Sequence, residues 1–100
     1  MVAFKLPNQT AQNLSLGDKL VPGRRYAIAV VGTAVAFSLQ YQMPALGFKT
    51  VQGFSALTPT DANTVLQFEV TLIAENVQLA FASAPGTYQV IVQEIIVEQH

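Results

Sequence analysis

The residues that carry most enzymatic chemistry are thinly spread along this chain of 100. Histidine occurs once, as His100, at a chain end that is a poor place to hold a metal ion or a catalytic proton. The acids Asp18, Asp61, Glu69, Glu75, Glu94 and Glu98 stand singly. Glu94 and Glu98 fall on one face of a strand but about 13 Å apart by rise alone, too far for a shared metal or a carboxylate pair. Both are expected to solvate the surface. Ser15, Ser38, Ser55 and Ser83 lack the histidine and acid that would activate a hydroxyl. Gly17, Gly23, Gly32, Gly47, Gly53 and Gly86 are spaced like turns, not like a phosphate cradle. The absence of cysteine removes disulfides, thiolates and most zinc sites, and leaves the redox compartment open. The expectation is a protein that is not an enzyme, with no cofactor and no metal. One binding chemistry stays open, in which exposed Tyr41, Phe48 and Tyr88 stack on a sugar while glutamines supply hydrogen bonds.

Composition points toward assembly. Charged residues make up 11% and hydrophobic ones 51%, against about 25% and 45–50% in ordinary domains. Two readings are open: alanine dilutes an ordinary core, or part of the surface is covered by other protein. The net charge of −1 and a single adjacent basic pair, Arg24-Arg25, give no footprint for nucleic acid. No apolar run approaches the roughly 20 residues that span a bilayer. Met1 to Pro7 lacks the apolar region of a signal peptide, so a soluble product made in a cytosol is expected, with no membrane partner.

The elements that must position any surface are strands. Residues 1–13 read as an N-terminal arm, in which Val2 to Leu6 alternates and Pro7 confines the piece to an edge or an arm. Such an arm either orders against a neighbour or is weakly pinned. Residues 14–100 read as the folded domain. Leu14, Leu16 and Leu20 suggest a short strand and turn, and Pro22-Gly23 is a further turn. Phe48 to Gln52 alternates, and Asp61 and Asn63 cap their own loop, with a helix-opening cap at Thr60 or Asp61 as the weaker alternative. Leu66, Phe68, Val70 and Leu72 line one side of a strand, as do Val77, Leu79 and Phe81, and then Tyr88, Val90 and Val92. From Glu94 to Glu98 the apolar set falls on both faces, which implies a bulge or a strand covered on both sides.

The strongest local signal is Arg25 to Gln42, read as two strands joined by a type II′ turn at Gly32-Thr33. That register sets Val30 opposite Val35, Ile28 opposite Phe37 and Tyr26 opposite Leu39. The other face is then small, with Ala27, Ala29, Val31, Ala34, Ala36 and Ser38, and would let a second layer or a neighbouring subunit come close. The expected core is Tyr26, Ile28, Val30, Val35, Phe37, Leu39, Leu66, Phe68, Val70, Leu79, Phe81, Tyr88 and Val90. About seven or eight strands at this spacing predict a single antiparallel β-sandwich, immunoglobulin-like or jelly-roll.

Several stretches together resemble a family. Leu20-Val21-Pro22-Gly23, Tyr26 to Gly32, Val35 to Gln42 with Leu39-Gln40-Tyr41, Gly47 to Val51, and Pro85-Gly86-Thr87-Tyr88-Gln89-Val90 are similar to small β-sandwich structural proteins of tailed bacteriophages. The resemblance implies a virion protein on the capsid surface, made in the host cytoplasm. It implies a head decoration, or cement, protein whose partner is the major capsid protein, and a homotrimer is the expected form. The alternative is a glycan- or partner-binding module of a tail, fibre or surface protein. The loop Met43-Pro44-Ala45-Leu46-Gly47 is more apolar than the polar turn usual at that point, which marks an interface or a packed loop. The candidate contact residues are Val2, Phe4, Leu6, Met43, Leu46, Phe48, Ile95 and Val97.

Overall fold

Strict alternation of large apolar and small or polar residues makes each strand half-buried, and two such faces closed on each other make the core. The computed structural model describes residues 3–16, 20–72 and 76–95, all strand, turn or loop. Among the described residues eight strands form: β1 (Ala3–Gln9), β2 (Asn13–Ser15), β3 (Arg25–Val31), β4 (Phe37–Met43), β5 (Gly47–Thr50), β6 (Leu66–Thr71), β7 (Val77–Phe81) and β8 (Tyr88–Ile95). They pair antiparallel in two four-stranded sheets, ordered β1-β8-β3-β6 and β2-β7-β4-β5. Pairing first with last, second with seventh, third with sixth and fourth with fifth describes one long hairpin rolled into two layers, the strand order of a jelly roll.

The hairpin expected at Gly32-Thr33 does not form. β3 and β4 are both present, but β3 lies between β8 and β6 while β4 lies between β7 and β5. Ile28 therefore faces Phe68 and Val92 within its sheet rather than Phe37, and Phe37 faces Phe81. The physical reason is that both strands carry a large inner face, and the two faces bury each other across the sandwich instead of lying side by side. The link between the layers is fastened to other loops. Gly32 N–H donates to the Ala62 carbonyl at 3.1 Å, and Ala82 N–H to that of Ala36 at 2.9 Å. Thr33 is buried, and its Oγ1 accepts the Val35 N–H at 3.1 Å. The true organising hairpin is β4–β5, where Met43 faces Gly47 and Leu46 N–H donates to the Met43 carbonyl.

The core runs between the layers. Of the expected core residues, Val35, Leu66 and Phe68 are only partly buried, and the rest are enclosed. Leu14, Leu16, Leu20, Tyr41, Leu72, Val77 and Val92 join them. An aromatic chain stitches the sheets, with Phe54 to Phe68 at 5.4 Å, Phe68 to Phe37 at 6.1 Å, Phe37 to Phe81 at 5.3 Å and Phe81 to Tyr88 at 4.7 Å. Each tyrosine hydroxyl is tied to backbone, because an unsatisfied buried hydroxyl is costly. Tyr26 Oη accepts the Val21 N–H, while Tyr41 and Tyr88 donate to the carbonyls of Thr71 and Ala11.

Candidate interaction interface

Alternation sends half of every strand outward, so the outer faces are fixed once the core is. On the second sheet the outward residues are Asn13 and Ser15 of β2, Gln78 and Ala80 of β7, Ser38, Gln40 and Gln42 of β4, and Phe48 and Thr50 of β5. None of these is ionisable. Their amides and hydroxyls bond to one another across the strands: Asn76 Nδ2 donates to Gln42 Oε1 at 2.7 Å, Gln78 Nε2 to Gln40 Oε1 at 2.7 Å, and Gln40 Nε2 to Thr50 Oγ1 at 3.3 Å. Cross-strand amide pairing of this kind fixes side chains that would otherwise be mobile, and so lowers the entropy lost when another surface covers them.

The β4–β5 tip carries exposed apolar side chains. Leu46 is 65% exposed, Met43 39% and Phe48 38%. These three expected contact residues sit on one hairpin tip but not on one face: Phe48, opposite Gln42, points outward, whereas Met43 keeps the inward phase of Leu39 and Tyr41. Phe4 and Leu6 instead turn inward from β1 and pack against the core, because β1 is the edge strand of the first sheet and pairs with β8 from Ala3↔Gln93 to Gln9↔Tyr88. Ile95 ends β8 on the outer side and is half-buried. Val2 and Val97 lie outside the described residues.

Two other expectations are corrected and one holds. Tyr41 and Tyr88 are enclosed in the core, so the aromatic platform of Tyr41, Phe48 and Tyr88 is not assembled, and Phe48 alone of the three is exposed. Their positions on inward strand faces explain this, since Tyr41 follows Phe37 and Leu39 in phase and Tyr88 begins the inner row of β8. Glu94 does not solvate the surface. It continues the inner row of Tyr88, Val90 and Val92, is 8% exposed, and both carboxylate oxygens accept from Arg24 Nη1 at 3.1 Å. Asp61 behaves as expected of a loop cap, with its Oδ1 accepting the Asn63 N–H at 2.8 Å, and no helix opens there.

The outer face of the first sheet has small residues. Ala27, Ala29 and Val31 of β3 lie beside Ile91 of β8, flanked by Arg25 and Glu69, which pair at 3.5 Å. Ala27, Ala29 and Val31 do share this outer face, but the small face expected across a β3–β4 hairpin is not formed: Ser38 belongs to the other sheet, Ala34 and Ala36 lie in the link between strands, and the neighbours of the three are Gln89, Ile91 and Gln93 of β8 and Gln67 and Glu69 of β6. Burial raises the Tyr88 phenol above its ordinary value. Among the described residues no cluster of His, Cys, Asp or Glu could hold a metal ion, and no helix is long and apolar enough to cross a membrane. No protein-family model matches the chain, and no curated protein and no solved structure matches it.

Proposed function

We propose that this chain is a non-enzymatic virion structural protein, a capsid decoration protein that seats on a phage head as a homotrimer and clamps neighbouring capsid subunits. The observation that carries the reading is the outer face of the second sheet, which among the described residues has no ionisable side chain and carries the exposed Phe48 at its β5 edge, beside the exposed turn residue Leu46. A freely solvated surface normally carries about 25–35% charged residues of mixed sign. Protein interfaces are depleted of charge at their centres. The jelly-roll order adds support by analogy, since this architecture recurs in viral capsid proteins as well as in lectins. Each copy need contribute little. Many copies on one shell sum, and a protein that binds only the mature shell stabilises it by mass action.

The test is co-sedimentation with heads assembled from the major capsid protein of the same genome, together with the solution mass by light scattering. Saturable binding by a particle of three chains is expected. Gln40→Lys with Gln78→Lys, which puts charge at the centre of the face, should weaken binding by at least about tenfold, while Gln67→Lys on the other sheet should not. Equal binding by both variants, or no binding by the native protein, would overturn the reading.

A further inference from the structure

The four sheet edges are not equally protected. β1 carries Pro7 and a register break, with Asn8 at φ 55°. β2 is three residues long and β5 four. Short, bulged or proline-bearing edges resist the addition of another strand. β6 has six residues in regular register and no proline. Main-chain groups alternate in direction along an antiparallel strand. Leu72 N–H donates to the Arg24 carbonyl at 3.0 Å, so the groups of Leu66, Phe68 and Val70 point to β3. Those of Gln67, Glu69 and Thr71 point away from the sheet. The Thr71 carbonyl accordingly takes its bond from Tyr41 Oη, at 3.2 Å, in the other layer.

Beneath this edge the second sheet overhangs the first. Tyr41 on β4 reaches the outer side of β6, so β5 lies beyond the last strand above it. Lys49 sits opposite Tyr41 on the same inward face, yet Lys49 is exposed while Tyr41 is buried. The overhang leaves a groove of about 360 Å³ lined by Tyr41, Val51, Phe54, Val70 and Thr71 and by the paired Arg25 and Glu69, with Lys49 beside Tyr41 on the neighbouring strand. It is half of a sandwich layer with its last strand missing.

We propose that this groove receives an extended segment of a partner protein, which adds to β6 as a fifth strand of the first sheet. Its alternate side chains are apolar over Val51 and Phe54, with a carboxylate over Lys49. A folded second copy offering its own β6 would bring its own β4 and β5 into the layer that β5 already fills, so a single strand fits where a whole domain does not. Charge selects the acid. Arg25 is engaged by Glu69 and Arg24 by Glu94, while Lys49 has no ion pair among the described residues. Recognition then divides as in other strand additions, with main-chain bonds giving affinity and alternate side chains giving specificity. The proposal stands independently of the virion reading.

The probe is a short blocked peptide alternating threonine with valine, carrying one aspartate in the valine register, titrated into the full chain and followed by amide NMR. Shifts and slowed exchange are expected at Gln67, Glu69 and Thr71. Methylating alternate peptide nitrogens should abolish them. Glu69→Pro removes an outward N–H that β3 does not use, so the fold tolerates it. It should weaken binding by about tenfold, the equivalent of one lost hydrogen bond at a strand edge. Lys49→Glu should weaken the aspartate peptide and restore affinity for a lysine version, which supplies a test even where the proline variant unfolds. Shifts confined to other strands, undiminished binding of the methylated peptide, or self-association of the free chain that Glu69→Pro abolishes would each overturn the proposal.

Discussion

Gly32→Ala should be among the most damaging small substitutions in this protein. Gly32 has φ +107°, and a Cβ built on it would lie 2.9 Å from Tyr88 Cα and 3.0 Å from the Thr87 carbonyl oxygen. Two costs add. A side chain in that backbone region costs about 1–3 kcal/mol. Both clashing atoms are backbone at the start of β8, and Tyr88 is held by Phe81 at 4.7 Å and by its bond to Ala11 at 2.7 Å. Relieving the overlap therefore shifts a packed strand, a further cost of about 1–3 kcal/mol. The sum, about 2–6 kcal/mol, is a large part of the roughly 5–15 kcal/mol that stabilises a domain. Gly53→Ala is the control, because Gly53 has φ +90° but open space where its Cβ would go. It should show the backbone cost alone. Urea denaturation of both variants at unchanged m isolates the difference. Equal losses at the two positions would refute the argument that the Gly32–Tyr88 approach fastens the crossover between the sheets.

Two further perturbations test the interior. Arg24→Met removes the guanidinium that bonds both oxygens of the buried Glu94 carboxylate; with Arg24 half exposed, the expected loss is about 1–2 kcal/mol by chemical denaturation, and adding Glu94→Leu should recover part of it. A double variant no more stable than Arg24→Met would refute the coupling. Tyr88→Phe should cost about 0.5–1.5 kcal/mol through the bond to Ala11. Burial raises the Tyr88 phenol, so its contribution is full below the unfolded phenol's pKa of about 10 and is lost as pH rises toward the folded value. The variant should lack that alkaline loss of stability in denaturation curves taken across the range, and an unchanged slope would refute the assignment.

The distribution of charge differs between the two sheets. Arg24 and Glu94 use one cation and one acid to close the end of β8, and Arg25 and Glu69 use another pair on the outer face of the first sheet. The second sheet has none to place outward, and instead bonds Gln40, Gln42, Gln78 and Asn76 among themselves. Like-charge repulsion is thereby absent among the described residues of that face. The small outer residues Ala27, Ala29 and Val31 and the uncharged amide face sit on opposite sides of one sandwich. One outer face is thus polar and without charge among the described residues, whereas the other carries the Arg25–Glu69 pair.

Strand existence and inward phase were legible because alternation is a property of single segments. Tyr26, Ile28 and Val30, or Val77, Leu79 and Phe81, announce a buried side whatever strand they pair with. Pairing itself is a property of the whole chain. Turn chemistry at Gly32 argued for β3 beside β4, but a glycine with positive φ serves a crossover as well as a hairpin. What decided between them was the close approach of Tyr88, 56 positions later. The hairpin that does form, at Met43–Gly47, has a weaker turn signature, yet every other pairing nests around it, so that the two ends of the chain meet as β1 and β8. Exposure was legible at the β4–β5 turn and not along β1. Met43, Leu46 and Phe48 belong to one turn and share its exposure, whereas Phe4 and Leu6 could be placed inward only once β8 was known to lie beside β1. Glu94 shows the converse: its carboxylate sits on an inner row where Arg24, far away in sequence, arrives from the turn before β3 to bind it.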